Sequence, residues 1–195
     1  MKRSYPSLAG LLLLAASAGA APGASWRVSQ GEIRVLCPLT VGGSFEAKSA
    51  ALTGAVSVAT ARPAVFAGEL SVDLTTLDTG IGLRNEHMRG KYLEVGKGAG
   101  FDKAVISDIQ LGDVDAESFS GRASFAGNLT LHGATAPVKG QAEIRREGTT
   151  IRVEASFPLT LADFAIAKPQ YLGVGVKSDV QVKVSFVAVA AGESR

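Results

Sequence analysis

The feature that most constrains the fold of this chain is a regular alternation of apolar and polar residues. In TIRVEASFPLTL, residues 150–161, apolar side chains occupy every second position from Ile151 to Leu161. DVQVKVSFVAV, residues 179–189, repeats the pattern from Val180 to Ala188. Successive side chains of a strand point to opposite faces, so these segments predict strands with one dry and one wet face. Such strands are typical of antiparallel sheets.

Two further segments alternate in the same way, FAGELSVDL at residues 66–74 and SFAGNLTLHG at residues 124–133, where His132 falls on the polar face. Glycine and proline separate the runs: Gly133, Pro137 and Gly140 predict a loop, and Glu147-Gly148 predicts a tight hairpin. Weaker strands are predicted at Trp26–Val28, Ile33–Leu36, Gly43–Ala47, Leu52–Val58, Val105–Leu111 and Ala142–Arg146.

Many short strands with one apolar face must bury that face inside a common core. A sandwich and a closed barrel both achieve this burial. The long succession of hairpins favours an up-and-down barrel, because closure removes the free edges of the sheet.

The first 20 residues have the organisation of a secretory signal peptide. A basic Met1-Lys2-Arg3 precedes the apolar segment LAGLLLLAASAGA, and Ala18-Gly19-Ala20 forms a small-x-small cleavage site. We therefore expect residues 21–195 to form the mature domain of an exported, periplasmic protein. The apolar run is shorter than the roughly 20 residues that span a membrane, and no later segment is apolar enough, so stable membrane insertion is not expected.

The charge balance argues against a polyanionic partner. The chain has 20 Lys+Arg and 18 Asp+Glu, and removal of Lys2 and Arg3 with the signal leaves a mature domain of near-zero net charge. No basic cluster remains to follow a phosphate backbone, so nucleic-acid binding is not expected.

Cysteine and histidine are too sparse to indicate a metal site. The single Cys37 cannot form an internal disulfide, and its simplest interpretation is a small buried hydrophobe. Cys37, His87 and His132 lack the spacing of metal ligands. Neither a metal nor another cofactor is therefore expected.

The segment LDTGIGLRNEHMRGKYLEV, residues 77–95, breaks the alternation. Ile81, Met88 and Tyr92 fall on one face of a helix, which predicts a helix from Leu83 to Leu93. Asp78 or Thr79 is expected to cap its start.

Asp78-Thr79-Gly80 is also the tripeptide of aspartic proteases, whose mechanism needs two carboxylates that share one proton. One tripeptide per chain leaves a homodimeric, Asp78-dependent hydrolase as an alternative. Asp and Gly are ordinary turn formers, so a turn or cap is the preferred interpretation, and no catalytic residue is expected.

Arg84 and His87 have two interpretations. One is a solvated helix face on which Arg84 pairs with a nearby carboxylate. The other is a polar rim above an apolar cavity, where Arg84 or His87 contacts the head group of a ligand, since pockets use few polar groups.

Four segments taken together resemble the YceI-like family of exported lipid-binding proteins, and they cover nearly all of the mature chain. Thr79, Arg84 and His87 fall on the Asp-Thr-Gly turn and the Arg-x-x-His helix of its strongest signature. Residues 96–106, GKGAGFDKAVI, depart from the family pattern because they lack its proline, so the entrance loop is expected to differ. The four segments are VGGSFEAKSAALTGAVSV, LSVDLTTLDTGIGLRNEHMRGKYLEV, GNLTLHGATAPVKG and FPLTLADFAIAKPQYLGVGVKSDVQVKVSFVAV.

The resemblance implies an all-β fold, an eight-stranded antiparallel, extended lipocalin-like barrel with one short helix packed against it. It also implies a non-enzymatic protein that sequesters or carries a polyisoprenoid or another long-chain amphiphilic lipid in the barrel interior. The alternatives left open are the Asp78-dependent hydrolase and a ligand-free barrel that acts as an interaction module. A homodimer is also left open. The candidate ligand-binding residues are Phe45, Phe66, Arg84, His87, Met88, Tyr92, Phe125, Phe157 and Phe164.

Overall fold

In a computed structural model of the chain, residues 23–171 and 173–191 are described, and the predicted signal peptide lies outside them. Strands dominate this part of the chain. They are β1 (Ser25–Pro38), β2 (Ser44–Ser49), β3 (Leu52–Thr60), β4 (Val65–Asp73), β5 (Lys103–Leu111), β6 (Gly121–Leu131), β7 (Ala134–Glu147), β8 (Thr150–Thr160), β9 (Gln170–Tyr171), β10 (Val174–Gly175) and β11 (Asp179–Ala190).

The helical residues cluster between β4 and β5. A 3₁₀ turn at Leu74–Thr76 leads to helix α1 (Gly82–Glu86), which continues directly into a π-helical turn at His87–Tyr92. The Leu93 N–H donates to the Met88 carbonyl, five residues back, at 2.9 Å. The predicted helix from Leu83 to Leu93 therefore exists but widens along its length. Two further 3₁₀ turns lie at Val95–Lys97 and Leu161–Phe164.

The strands close into a barrel. Neighbours follow the order β11-β8-β7-β6-β5-β4-β3-β1, and β1 pairs antiparallel with β11 to complete the ring. β2 and β3 share one edge of β1, because β3 pairs with Ser25–Arg27 whereas β2 pairs with Ile33–Pro38. β2 and β3 therefore together occupy one strand position in the barrel. The predicted eight-stranded antiparallel barrel is confirmed.

The break between β2 and β3 determines where the helical residues lie. β3 pairs with β4, but β4 ends at Asp73, so β2 has no long partner on its outer side. A single bridge between Lys48 and Asp78 takes the place of that pairing. Residues 82–92, called here the helical segment, follow this bridge and lie beside β2.

The alternating residues face the interior as predicted. The apolar positions of β8 and β11, from Ile151 to Leu159 and from Val180 to Ala188, all line the inside of the barrel. Glu147 pairs with Thr150 across the turn, so the predicted hairpin is also confirmed. Gly148, at φ 59°, supplies the left-handed conformation that this turn requires.

The predicted loop around Pro137 and Gly140 is wrong, because both residues lie inside β7. Residues 134–140 pair with β6, whereas pairing with β8 begins only at Gln141. Pro137 therefore occupies an edge-like stretch, where the missing N–H removes no ladder hydrogen bond. β1 likewise continues through a bulge between Val28 and Gln30, where two separate short strands were predicted.

Gly140 is required by close packing inside the barrel. A Cβ at this position would lie 2.2 Å from the Ser156 carbonyl oxygen and 2.7 Å from Phe125. The Phe125 ring stands edge-to-face with Phe157, with the centroids 5.8 Å apart. The absence of a side chain at Gly140 therefore lets two aromatic rings and a neighbouring strand approach one another.

We predict that Gly140→Ala lowers the free energy of unfolding by about 3 kcal/mol, at the upper end of the effect of overpacking. Urea denaturation monitored by circular dichroism measures the change. Gly96→Ala is the matched control, because an added Cβ there meets no atom within 4 Å. Equal stability of the two variants would contradict the packing argument.

Candidate ligand-binding cavity

The barrel encloses a cavity of about 770 Å³. Its wall consists of the inward side chains of the barrel strands together with residues of the helical segment and of the β9–β10 hairpin. Almost all of these side chains are aliphatic or aromatic. The polar lining residues are Cys37, Arg84, His87, Tyr92 and Gln170. Such a cavity favours an apolar ligand that carries few polar groups.

The cavity opens at the end of the barrel that carries the helical segment. Among residues 23–171 and 173–191, the solvent-exposed lining residues all lie there. The opposite end is closed by Trp26, which is buried beneath the Arg146 guanidinium at 4.9 Å from the ring centroid. The exposed lining residues are Ile81, Leu83, His87, Gln170 and Val174.

Side-chain hydrogen bonds fix the start of the helical segment. Asp78 Oδ1 accepts hydrogen bonds from the Gly80 N–H at 2.9 Å and from Asn85 Nδ2 at 2.5 Å. The Asn85 side-chain oxygen accepts from the N–H and the hydroxyl of Thr79, both at 2.8 Å. These bonds lower the pKa of Asp78, chiefly through the Gly80 N–H and then through Asn85.

The expectation that Asp78 or Thr79 caps the helix is wrong in its detail. The N-cap position is Ile81, whose side chain makes no capping hydrogen bond. Asn85, which sequence reasoning missed, reaches back from the helix and holds the Asp78–Gly80 turn instead. The turn itself was predicted from Asp and Gly. The hydrogen bonds between the Asn85 side chain and Thr79, six residues earlier, have no sequence signature comparable to that of a capping residue.

Two further contacts tie the helical segment to the barrel. Arg89 Nε donates to the Leu77 carbonyl at 2.9 Å, which joins the helical segment to the chain before it. The Tyr92 hydroxyl accepts from the Gln170 N–H at 3.1 Å, which joins its far end to the β9–β10 hairpin. The helical segment is therefore held both to the preceding chain and to the hairpin.

His132 anchors the chain just beyond the helical segment. Its Nδ1–H donates to the Phe164 carbonyl at 3.0 Å, since a carbonyl only accepts, and Nε2 lies 3.0 Å from the Glu94 carboxylate. The Lys97 ammonium and the His132 ring together lower the pKa of Glu94, with Lys97 contributing first. The predicted position of His132 on the wet face of a strand is wrong, because β6 ends at Leu131 and His132 lies in the following turn with a φ of 53° and a largely buried side chain.

Arg84 lies at the edge of the opening. Its guanidinium carbon sits 4.3 Å above the centroid of the Phe45 ring, a cation–π geometry. Within the part of the chain that the structure describes, no carboxylate lies within 4.0 Å of this group. The predicted pairing of Arg84 with a carboxylate is therefore not found, and its charge faces the cavity opening.

Cys37 lies deeper in the wall and is half-buried. Burial raises the pKa of its thiol to about 11, and the nearby positive charge of Arg84 partly opposes the shift. The thiol is therefore neutral at physiological pH, which agrees with the expectation of a small buried hydrophobe.

The structure brings most of the predicted site residues to one cavity. Phe164 is the exception, because it is buried and does not line the cavity, and its carbonyl binds His132. Sequence reasoning missed Leu83, Gln170 and Val174, whose proximity depends on long-range contacts. The predicted residues that line the cavity are Phe45, Phe66, Arg84, His87, Met88, Tyr92, Phe125 and Phe157.

No three His, Cys, Asp or Glu side chains in residues 23–171 and 173–191 converge as metal ligands. In the same ranges, no helix has the length and apolar character needed to cross a membrane.

Comparisons with known proteins agree on the fold. Solved structures with a similar fold include a polyisoprenoid-binding domain from Saccharophagus degradans, with 18% identity and a TM-score of 0.63 over 85% of this chain and 98% of that one. BcnA from Burkholderia cenocepacia has 16% identity and a TM-score of 0.63 over 82% and 96%. A YCEI protein from Campylobacter jejuni has 14% identity and a TM-score of 0.53 over 73% and 82%.

No curated protein sequence matches the chain. The solved structures are too distant in sequence to show more than a shared barrel. The family assignment depends instead on a sequence model, that of the YceI-like domain, which matches residues 25–188. The chain belongs to the YceI-like family.

Proposed function

We propose that this protein is exported to the periplasm and there sequesters or carries a long-chain lipid, such as a polyisoprenoid, inside its barrel. The observation that carries the proposal is the apolar cavity of about 770 Å³ that opens at one end of the barrel. Family membership and the polyisoprenoid-binding domain of Saccharophagus degradans support the ligand class. The signal-peptide pattern of residues 1–20 supports export.

The cavity has the size and chemistry for such a ligand. Its volume falls within the roughly 300–1,000 Å³ of small-molecule sites. Burial of about 400 Å² of apolar chain would contribute roughly 10 kcal/mol before ordering costs, and ordering a flexible chain takes back a sizeable part. Micromolar or tighter binding therefore requires no strong polar contact.

The positive charge at the opening supports an amphiphile with an acidic head group. An apolar chain that enters the barrel leaves its head group near Arg84, and no carboxylate of the described residues lies within 4.0 Å of this guanidinium. A phosphate or carboxylate placed there would gain a charge-assisted hydrogen bond from the guanidinium.

Neither alternative gains support from the structure. A ligand-free interaction module predicts a packed interior, whereas this interior contains a large cavity. An Asp78-dependent hydrolase needs a carboxyl group that shares a proton with a second one. Asp78 instead accepts two hydrogen bonds that favour its ionised form and hold a turn.

We predict that organic extraction of protein purified from its native compartment releases a long-chain lipid detectable by mass spectrometry. Ala155→Phe should reduce the yield of co-purified lipid at least tenfold, because Ala155 lines the cavity wall and a ring there fills part of it. Ala55→Phe is the matched control, since Ala55 is exposed on a barrel strand. Absence of lipid from the wild-type protein, together with no uptake of isoprenoid probes, would refute the proposed function.

We predict that Arg84→Gln weakens binding of geranylgeranyl phosphate about tenfold, which corresponds to one charge-assisted hydrogen bond near 1.4 kcal/mol. Binding of the uncharged alcohol geranylgeraniol should change less than twofold. Displacement of a fluorescent probe measures both affinities. The affinity of Arg84→Lys for the phosphate should lie between those of the wild-type protein and Arg84→Gln. An equal loss for phosphate and alcohol would show that Arg84 acts only through packing.

We predict that iodoacetamide alkylates Cys37 at pH 8 on the order of 100-fold more slowly than free cysteine, because a pKa near 11 depletes the thiolate. The rate should climb as the pH rises toward 11. A loaded lipid should slow it further, since Cys37 lines the cavity. Mass spectrometry follows the single cysteine of the chain. Identical rates with and without lipid would mean that the ligand does not pass Cys37.

A further inference from the structure

The opening of the cavity carries an unusual set of exposed apolar side chains. Across residues 23–171 and 173–191, five large hydrophobic residues are exposed, and four of them lie at this opening. Val41 is 73% exposed, Leu83 55%, Ile81 49% and Val174 39%. Clustered exposed apolar residues indicate an interaction surface, whereas scattered ones need no explanation.

These four residues belong to one connected structure, called here the mouth rim: residues 39–43, residues 81–92, and the β9–β10 hairpin with its flanking residues, 168–177. The Thr40 N–H donates to the Gly175 carbonyl at 2.9 Å, so Val41 and Val174 are neighbours. The Tyr92–Gln170 bond joins the hairpin to the helical segment. Arg84 over Phe45 joins the helical segment to the strand that follows the turn.

The mouth rim is also basic, although the mature domain as a whole is close to neutral. The helical segment carries Arg84, Arg89 and Lys91 against a single acidic residue, Glu86. Lys168 and Lys177 flank the β9–β10 hairpin, and both are exposed. Exposed apolar side chains among cations match the two layers of an anionic bilayer surface, acyl chains below and phosphates above.

We propose that the mouth rim docks onto the surface of a membrane that contains anionic phospholipids. Val41, Leu83 and Val174 enter the boundary between head groups and acyl chains, with Ile81 beside them. Lys168 and Lys177 contact lipid phosphates. This orientation places the cavity opening against the bilayer, so a lipid passes between membrane and barrel without crossing water. The purpose of docking rests on the proposed function, but docking itself does not.

Charge argues against a second copy of the chain as the occupant. A symmetric dimer joined rim to rim would bring the cationic surfaces of both copies together. Juxtaposed like charges weaken such an interface. An anionic lipid surface instead attracts and neutralises each Lys or Arg that lies near it.

Vesicle co-sedimentation tests the proposal with the full mature protein. Vesicles of 30% phosphatidylglycerol in phosphatidylcholine should bind the protein, and vesicles of phosphatidylcholine alone should bind it at least tenfold more weakly. The double variant Val41→Asp/Lys177→Glu should lose at least tenfold in affinity for the anionic vesicles. Neither residue lines the cavity, so uptake of an isoprenoid probe added from solution should stay unchanged.

Val189→Asp/Lys183→Glu is the matched control. Val189 is as exposed as Val174 but lies at the closed end of the barrel, where it pairs with Arg27, and Lys183 is exposed on the wall. This variant makes the same chemical changes away from the rim and should bind vesicles like the wild-type protein.

The proposal is overturned if the wild-type protein does not bind anionic vesicles, or if the rim and control variants lose binding equally. It is also overturned if light scattering shows a wild-type dimer that the rim variant dissociates, since the rim would then be a protein interface. Vesicle binding without any probe uptake would contradict the proposed function but leave docking intact. Probe uptake without vesicle binding would contradict docking but leave the proposed function intact.

Discussion

The closure of the sheet between β1 and β11 is the constraint on which the rest of the structure depends. These strands lie at opposite ends of the described chain, and their pairing runs from Trp26 with Ala190 to Leu36 with Gln181. Because side chains alternate along a strand, closure turns one face of every strand inward. The enclosed face is apolar, and the ring has no free edge along this seam.

The end of the barrel at which the cavity opens is also the end at which the ring of strands is interrupted. β2 and β3 divide the edge of β1 between them, and β4 stops before it reaches β2. The helical segment lies at this interruption and is held by short polar contacts, the Asp78–Asn85 bond and the Arg89 bond to the Leu77 carbonyl. These contacts hold the segment at the barrel wall, while its Leu83 side chain stays exposed at the surface.

The barrel interior is closely packed in one part and leaves a cavity in another. Phe125 and Phe157 stack edge-to-face against Gly140 and fill one part of the barrel. Smaller side chains such as Ala142 and Ala155 line other parts and leave volume for a ligand. An eight-stranded barrel is close to the size at which side chains alone fill the interior, so the choice between core and cavity depends on a few residues. Ligand length is therefore expected to respond to single substitutions at such positions.

Much of this protein was determined by local sequence alone. Alternation is a property of each strand, so the inward positions of β8 and β11 were predictable, as were the helix near Leu83–Leu93 and the resemblance to the family. Tertiary structure alone decided what depends on distant pairs: the burial of the His132 ring beside the Phe164 carbonyl, the place of Pro137 on an edge-like stretch, and the burial of Phe164 outside the cavity. It also decided that the inner face surrounds a cavity, because enclosed volume depends on how side chains from all strands meet, which no single segment specifies.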